Sequence, residues 1–600
     1  MIQPRIYRAA FLPALLAVVI AAFSLEGPPP AAPQGLPADV LFDGSLASST
    51  VNTILQDAPD RRAGRPGDER AANRVATTLR GLGYGTSHDR FTDDGVPLDN
   101  VIGRRPGLSE HELVVLANRD ALSVPDATGS AADTAALIAV GRVFSGRAVH
   151  KTIVLASVDG GSRGNVGAQR FVDAERQAGR QIDAVIVLSA TGAPRSPGSL
   201  VIDWSGDTRR GGLGLHRTAS DSLRAELGTD GGSGPAPLAQ LARLAFPVGI
   251  GAQGPLLTDG APAVRISGSG ELAPPPAEGG PRGIDSTRYG AIGRSVLRII
   301  SALDGARQPP PHGPRAYLTV GGQVMPGWAL ALLAATLILP ALIASIDALA
   351  RVRRRGHPVV RWFWWVAAGV VPFLAGLGAG KLLVVVGLAR DAPGSALDPR
   401  GVAVNGAAAA NVAVVAVIVV GSWVLLRSPI LLRVRPLSNP SAPGAAVATA
   451  LAMCAVTVGT FVVNPYAALL LALPLNCWMV AVLTDTSLAR RAVLVAIGLL
   501  PGVLVVAVYM NELDLGPLGA AWYLFLLVTG GAAGIVSTLL GCAVLGVFAS
   551  VLAIVVAHAR PQPPEAIGEA PRRRPGPPVV TPRPGGRSVR REESAASPSS

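Results

Sequence analysis

Cysteine is scarce in this 600-residue chain, and its placement excludes two kinds of site. The three cysteines, Cys454, Cys477 and Cys542, all fall in apolar runs of the second half. Residues 26–323 contain none, so this part of the chain has no disulfide bond and no CxxC-type metal or redox site. Motifs typical of DNA- or RNA-reading proteins are also missing, and we predict no nucleic-acid partner.

The apolar residues are distributed unevenly and divide the chain into regions. With 49% hydrophobic residues and a mean hydropathy of +0.40, the chain is too long and too apolar for one soluble domain. We predict a signal anchor or signal peptide at 1–25, a Pro-rich linker at 26–42, an extracytoplasmic α/β domain at 43–305, a linker at 306–324, a membrane domain of about eight transmembrane helices at 325–558, and a disordered basic Pro-rich tail at 559–600.

Segments suited to a membrane occur at the start of the chain and throughout its second half. A short basic flank and then about 17 apolar residues open the chain, as in a signal sequence, and no small-x-small cleavage site follows, which favours an uncleaved anchor. A transmembrane helix needs about 20 apolar residues. The further predicted spans are 326–350, 361–389, 405–427, 443–463, 466–483, 491–510, 519–536 and 538–558.

Positive charge is concentrated beside these spans. The formal net charge is +13 and the pI is near 10.6. Arginine clusters at 351–355, 431–435, 488–491 and 571–575 flank apolar runs, as in cytoplasmic loops. Nine crossings from a cytoplasmic N-terminus would put the basic tail outside, against this rule. The run 518–558, interrupted by TGGAAG, is therefore either two spans or one span and a re-entrant piece.

A single lysine, Lys381, lies within an apolar run. A charge inside a membrane is by default a candidate functional site. The alternative is that the span ends nearby and the Lys381 side chain reaches the interface.

The segment 43–305 alternates helical and strand patterns. Nearly apolar strands are predicted at 112–118, 152–157 and 184–190, with a helix over 132–146 between the first two. Apolar strands separated by helices indicate a sheet covered on both faces, hence a three-layer α/β domain with a mixed, mostly parallel sheet. Chemistry is expected at the carboxyl ends of its strands.

The order of several short motifs resembles that of a known family. These are LDNVIGRRPG (98–107), VVLANRD (114–120), GSAADTAAL (129–137), TIVLASVDGGSRGNVGAQRF (152–171) and GAPAVRIS (260–267), preceded by a helix-forming stretch at 58–84. The segment resembles the co-catalytic zinc aminopeptidases, peptidase family M-28, which include aminopeptidase Y and glutaminyl cyclase relatives. The resemblance implies an exopeptidase-like fold. In that family, two zinc ions activate a water molecule and a Glu acts as general base.

The residues at the family's metal and base positions are different here. The resemblance places Asn118 at the first ligand, Ala132 at the bridging Asp, Gly161 at the catalytic Glu and Ser162 at the adjacent ligand Glu. Ser189 falls at a further ligand Asp. None of these is a good zinc ligand or a general base.

Two acidic residues remain near these positions. Asp120 matches the family's orienting Asp. Asp133 lies next to Ala132, but one step along a helix turns a side chain by about 100°, so we expect it to point elsewhere. A late His ligand is also missing, and Gln253 stands in its place.

The sequence therefore predicts an integral membrane protein whose exported domain is a pseudo-metallopeptidase: a non-catalytic binding or scaffold protein with no cofactor. Its expected partners are the lipid membrane and a peptide or cell-envelope ligand. Two alternatives stay open: an active membrane-bound zinc exopeptidase with relocated ligands, and a transporter or membrane-complex subunit. Many Ala, Gly, Arg and Pro residues and few Lys suggest a bacterial, multi-pass cell-membrane protein.

Overall fold

The computed structural model describes residues 3–33, 42–195, 198–228, 234–275, 283–425 and 442–559. The arginine cluster at 431–435 and nearly all of the predicted tail lie outside the described residues, so the disorder of that tail stays a prediction.

A seven-stranded mixed sheet forms the centre of the first half. Its spatial order is β1-β2-β4-β3-β5-β7-β6. The strands are β1 Gly85–Asp93, β2 Val96–Arg105, β3 Ser109–Asn118, β4 Lys151–Val158, β5 Ile182–Ser189, β6 Val201–Ile202 and β7 Ala263–Ser267. The four neighbours β4, β3, β5 and β7 are parallel, whereas β2 and β6 run antiparallel to their neighbours.

Helices cover both faces of this sheet because its central strands are apolar on both sides. One core joins alternate strand residues such as Val115 and Ile186 to five helices, and a second core joins Val114 and Val187 to two helices. The first face carries α3 Gly44–Asp57, α4 Pro66–Gly81, α5 Ala132–Phe144, α7 Leu213–Leu227 and α10 Ser286–Gly305; the second carries α6 Val166–Gln177 and α9 Gln253–Thr258. The predicted three-layer α/β domain is confirmed.

The two segments predicted as linkers carry regular contacts with the domain. Residues 306–324 contain β8 Tyr317–Val320 and the first half of β9 Gln323–Pro326, the two strands of a hairpin. Glu26 pairs with Val324 of this hairpin, and the Arg217 guanidinium donates to the Pro28 carbonyl at 3.0 Å. The proline-rich composition of these segments did not predict this two-stranded junction, because it is held by backbone hydrogen bonds that leave no pattern in the sequence.

The second half is helical. Its helices are α11 Gly327–Arg354, α12 Val360–Ala368, α13 Val371–Val385, α14 Gly406–Leu425, α15 Pro443–Val463, α16 Pro465–Leu483, α17 Leu488–Glu512, α18 Pro517–Thr529 and α19 Ile535–Ala559; α1 Pro4–Ala9, α2 Leu12–Phe23 and α8 Pro237–Ala245 lie earlier in the chain. Eight segments are long and apolar enough to cross a membrane within the described residues, counting α12 with α13 and α1 with α2 as one each. This supports a multi-pass membrane protein.

The segment predicted as a span at 519–536 is not among these eight. The helix there, α18, has only 13 residues, about 20 Å, whereas the hydrocarbon core is about 30 Å thick. The helix and the residue after it contact the loop between α13 and α14: the Tyr523 hydroxyl donates to the Leu397 carbonyl at 2.8 Å, and Gly530 approaches Ala392. It therefore lies along one end of the helical region instead of crossing it.

The α/β domain contacts that same end of the helical region. The Arg243 guanidinium lies 2.6 Å from the Glu512 carboxylate at the end of α17, and the Asn464 amide, between α15 and α16, donates to the Leu244 carbonyl at 2.9 Å. Gly327, which begins α11, donates its N–H to Ala316 at 2.8 Å. The connections after α11 and α16 accordingly lie at the opposite end.

Candidate functional site

The carboxyl ends of β4, β3 and β5 lie side by side and form the edge at which chemistry was predicted. Asn118 pairs with Val158, the last residue of β4, and Ala117 pairs with Leu188, so Ser189 ends the neighbouring strand at the level of Asn118. We call the loops that follow β3, β4, β5 and β7 the carboxyl edge.

Asn118 and Gly161 are in direct contact at this edge. A Cβ atom at position 161 would lie 2.6 Å from Asn118 Cγ and 2.9 Å from Asn118 Cβ, closer than side-chain carbons approach one another. The Asn118 amide group donates to Asn165 Oδ1 at 3.2 Å, while Asn118 Oδ1 is buried with no partner among the described residues. The Asn118 side chain thus fills the space that a side chain at 161 would need.

Asp120 holds the loop that carries Gly161 and Ser162. Its two carboxylate oxygens accept the backbone N–H groups of Gly161 at 2.7 Å and of Ser162 at 2.8 Å. Burial raises the pKa of Asp120, and the hydrogen bonds from Ser162 and Gly161 oppose that rise. Asp120 is therefore engaged by the backbone of its own edge.

Ala132 and Asp133 contact the turn after β5. A Cβ at Gly192 would lie 2.8 Å from the Ala132 Cβ. The Asp133 carboxylate accepts the N–H groups of Ala190 and Thr191, both at 2.8 Å, and the Thr191 hydroxyl at 2.7 Å. Burial raises the pKa of Asp133 to about 7 despite these hydrogen bonds. The Asp133 side chain therefore holds the turn after β5, and each of its carboxylate oxygens accepts a backbone N–H group.

A buried charge network beneath the edge was missed by the sequence analysis. Arg119, fully buried, makes two hydrogen bonds of 2.9 Å to the Asp68 carboxylate and lies 3.3 Å from Asp159. Burial raises the pKa of Asp159 to about 8; Arg119 opposes the rise, and Asp120 and Asp68 add to it. Asp159 in turn accepts the N–H groups of Asp99 and Gly160. Arg119, Asp68 and Asp159 are far apart in the sequence, so the network becomes visible only when the fold brings them together.

The side chains present at the edge do not fit a zinc ion. No group of three His, Cys, Asp or Glu side chains suited to a metal occurs in the part of the chain that the structure describes. Asn118, Ser162 and Ser189 offer an amide and two hydroxyl groups, whereas zinc binds thiolate, imidazole or carboxylate. The nearby carboxylates, Asp120 and Asp133, each accept two backbone N–H groups.

Two further predicted positions lie elsewhere. Gln253 is buried, and its amide group donates to the Ile250 carbonyl at 2.8 Å and the Trp204 carbonyl at 3.2 Å. Lys381 lies one turn before the end of α13, and its ammonium group donates to the Thr529 carbonyl at 2.5 Å. Because Thr529 ends α18, the lysine charge sits at the negative end of a helix dipole.

The α/β domain is similar in structure to several solved proteins. No protein-family model matches the chain, and no curated protein matches it in sequence. The glutaminyl cyclase of an Acidobacteriales bacterium is 16% identical and covers 45% of this chain and 97% of its own, with a TM-score of 0.35. A Zn-dependent exopeptidase from Parabacteroides distasonis is 15% identical, with coverage of 45% and 99% and a TM-score of 0.35. LapB from Legionella pneumophila is 13% identical, with coverage of 48% and 81% and a TM-score of 0.38.

Proposed function

We propose that this protein is a multi-pass membrane protein whose α/β domain acts as a non-catalytic scaffold. One observation carries the proposal: at the carboxyl edge, Asn118 fills the space beside Gly161, and Asp120 is bound by the backbone N–H groups of Gly161 and Ser162. Hydrolysis by the route that the family resemblance implies needs a general base next to a metal-bound water. Gly161 has no side chain to act as a base.

The test is the metal content and activity of the full-length protein in detergent. We expect less than about 0.1 equivalent of zinc after dialysis against zinc-free buffer, where a two-zinc site would hold about two. We also expect no release of amino acid from aminoacyl-p-nitroanilides and no cyclisation of N-terminal glutamine, with or without added zinc. A purified zinc aminopeptidase in the same detergent serves as the positive control.

The alternative of an active exopeptidase with relocated ligands predicts the reverse. About two equivalents of zinc together with chelator-sensitive hydrolysis would overturn the proposal. Zinc without hydrolysis would also contradict it in part, because it would require a metal site that the edge side chains do not provide.

We further propose that the α/β domain lies outside the cytoplasm of a bacterial cell. Eight crossings return the chain to the side on which it began, because α18 does not cross. The arginines before α2, in the last turn of α11 and in the first turn of α17 then share one end with the end of α19, and the α/β domain occupies the other. Cytoplasmic ends carry the excess of Lys and Arg.

Reporter fusions test this orientation. A green fluorescent protein joined after residue 559 should fluoresce, and alkaline phosphatase joined at the same point should be inactive. A fusion in the loop after α13 should give the opposite pair of results. Active phosphatase at the tail would indicate an odd number of crossings.

The hydrogen bond between Lys381 and Thr529 does not favour the alternative that the protein is a transporter. The end of α18 already supplies a partner for its charge, so the residue needs no transported ion to explain it.

A further inference from the structure

The carboxyl edge of the α/β domain is in contact with a loop of the membrane region. This loop, residues 389–405, joins α13 to α14 and is called the connecting loop below. The Ser395 hydroxyl donates to the Gly164 carbonyl at 2.6 Å, and Gly164 lies in the turn after β4. A Cβ at Gly164 would lie 2.8 Å from the Pro393 ring, so only a glycine admits this close approach.

The connecting loop also reaches the turns that follow two other parallel strands. Gly401 lies against Leu122, after β3: a Cβ there would be 2.6 Å from the Leu122 methyl group. After β7, the Ala273 N–H donates to the Asp398 carboxylate at 2.6 Å, and the Arg400 guanidinium donates to the Ala273 carbonyl. Three of the four parallel strands thus end in turns that touch the same loop.

An apolar cluster stabilises this contact from the side. It joins domain residues to the connecting loop, to the start of α14, to Leu513 and to α18, and all its members are buried. They are Val248, Ile250, Leu272, Ala396, Leu397, Val402, Ala408, Leu513, Trp522, Tyr523 and Leu526. The Trp522 indole also donates to the Val402 carbonyl at 3.1 Å. Backbone, charged and apolar contacts together make a specific interface, not a chance approach of two surfaces.

In open α/β sheets, ligands bind at the carboxyl ends of the parallel strands. We propose that the partner of this edge is the chain's own connecting loop, so that the domain clamps α13, α14 and α18 and takes no external peptide there. This inference rests on the proposed non-catalytic function, because a hydrolase would need the same edge open to its substrate. It also replaces the peptide ligand expected from the sequence with a segment of this chain.

Asp398→Ala is the decisive variant, and Asp391→Ala is its matched control. Both remove a carboxylate from the connecting loop, but Asp391 is exposed, whereas Asp398 accepts the Ala273 N–H. Hydrogen–deuterium exchange is measured on the full-length protein in detergent. In Asp398→Ala we expect amide exchange at least about tenfold faster in the turns after all three strands, at 119–126, 159–167 and 268–275. Asp391→Ala should match the wild type.

The outcomes separate the two proposals. Faster exchange confined to 268–275, or no change at all, would overturn the clamp, since the loop would then not bind as a unit. If Asp398→Ala does not fold, Ser395→Ala is used, and a roughly threefold increase at 159–167 is expected; no increase overturns the clamp. Zinc is measured on the same samples. Bound zinc with hydrolysis would overturn the non-catalytic function even where the exchange pattern shows the loop docked.

Discussion

The close contact between Gly161 and Asn118 gives the sharpest test of packing at the carboxyl edge. The perturbation is Gly161→Ala, which adds one Cβ 2.6 Å from Asn118 Cγ and 2.9 Å from Asn118 Cβ. Gly161 does not have a positive φ, so the cost is steric and not conformational. The Asn118 amide can rotate away only by losing its hydrogen bond to Asn165, and the Asn118 Cβ cannot rotate at all.

The expected cost follows from these contacts. Inserting a methyl group into a filled site costs about 1–3 kcal/mol, and the lost hydrogen bond is included in that range. We therefore expect about 2 kcal/mol, which for a domain of this size lowers the unfolding temperature by roughly 5 °C. Differential scanning calorimetry of the full-length protein in detergent measures it.

A double-mutant cycle identifies the cause. Asn118→Ala removes the atoms at 2.6 Å but keeps the Cβ at 2.9 Å, so it should recover about half of the loss caused by Gly161→Ala. Gly81→Ala is the control, since a Cβ there meets nothing within 4 Å and the change should not destabilise the protein. A Gly161→Ala variant as stable as this control, or one unaffected by Asn118→Ala, would refute the reasoning.

Three further predictions test the junction, the anchor and the helix end. Burial alone would raise the pKa of Asp203, but Arg210, His216 and Tyr317 outweigh it and lower that pKa. The stability lost in Asp203→Asn, about 3 kcal/mol, should therefore not shrink until the pH falls below about 4; a thermal-unfolding difference that already narrows at pH 6 would contradict this. The purified protein should retain residues 1–25, because the Tyr7 hydroxyl donates to Asn476 Oδ1 at 2.9 Å and Glu26 pairs with Val324; an intact mass lacking these residues would rule out the anchor. Lys381→Met should lower the unfolding temperature by a few degrees, about 1 kcal/mol, and Lys381→Arg by less; equal losses would argue against the helix-end contact.

The sequence predicts the layers of the α/β domain well because their cause is local. Apolar strands such as 152–157 need cover on both faces, and the chain supplies helices between them. The same logic places the ends of neighbouring parallel strands together, and the family resemblance singled out Asn118 and Gly161 at that edge. The N-cap of α10 is equally local: Asp285 accepts the N–H groups of Thr287 and Arg288.

What the sequence does not reveal depends on contacts between distant residues. An apolar run of 18 residues at 519–536 has the composition of a span, and only the turn after Thr529 and the contacts with the connecting loop make it a short helix along one end. Ser395 and Gly164 are 231 residues apart, and neither has a pattern that predicts the other. The composition of a helix predicts whether it can cross a membrane, but it does not predict which loop contacts which turn of the α/β domain.

The loop after β4 can now be explained without a metal. Asp120 and Asp159 bind its backbone, Gly160 and Gly164 adopt the left-handed conformations that its turns need, and Gly164 presents its carbonyl to Ser395. Each of these roles uses backbone geometry, and none uses a side chain at 161. If the clamp is the use of this edge, residues that set the turn should be intolerant of change. Ser162 contacts Asp120 through both its hydroxyl and its backbone N–H. Because the backbone contact survives in Ser162→Ala, this variant should keep the loop docked.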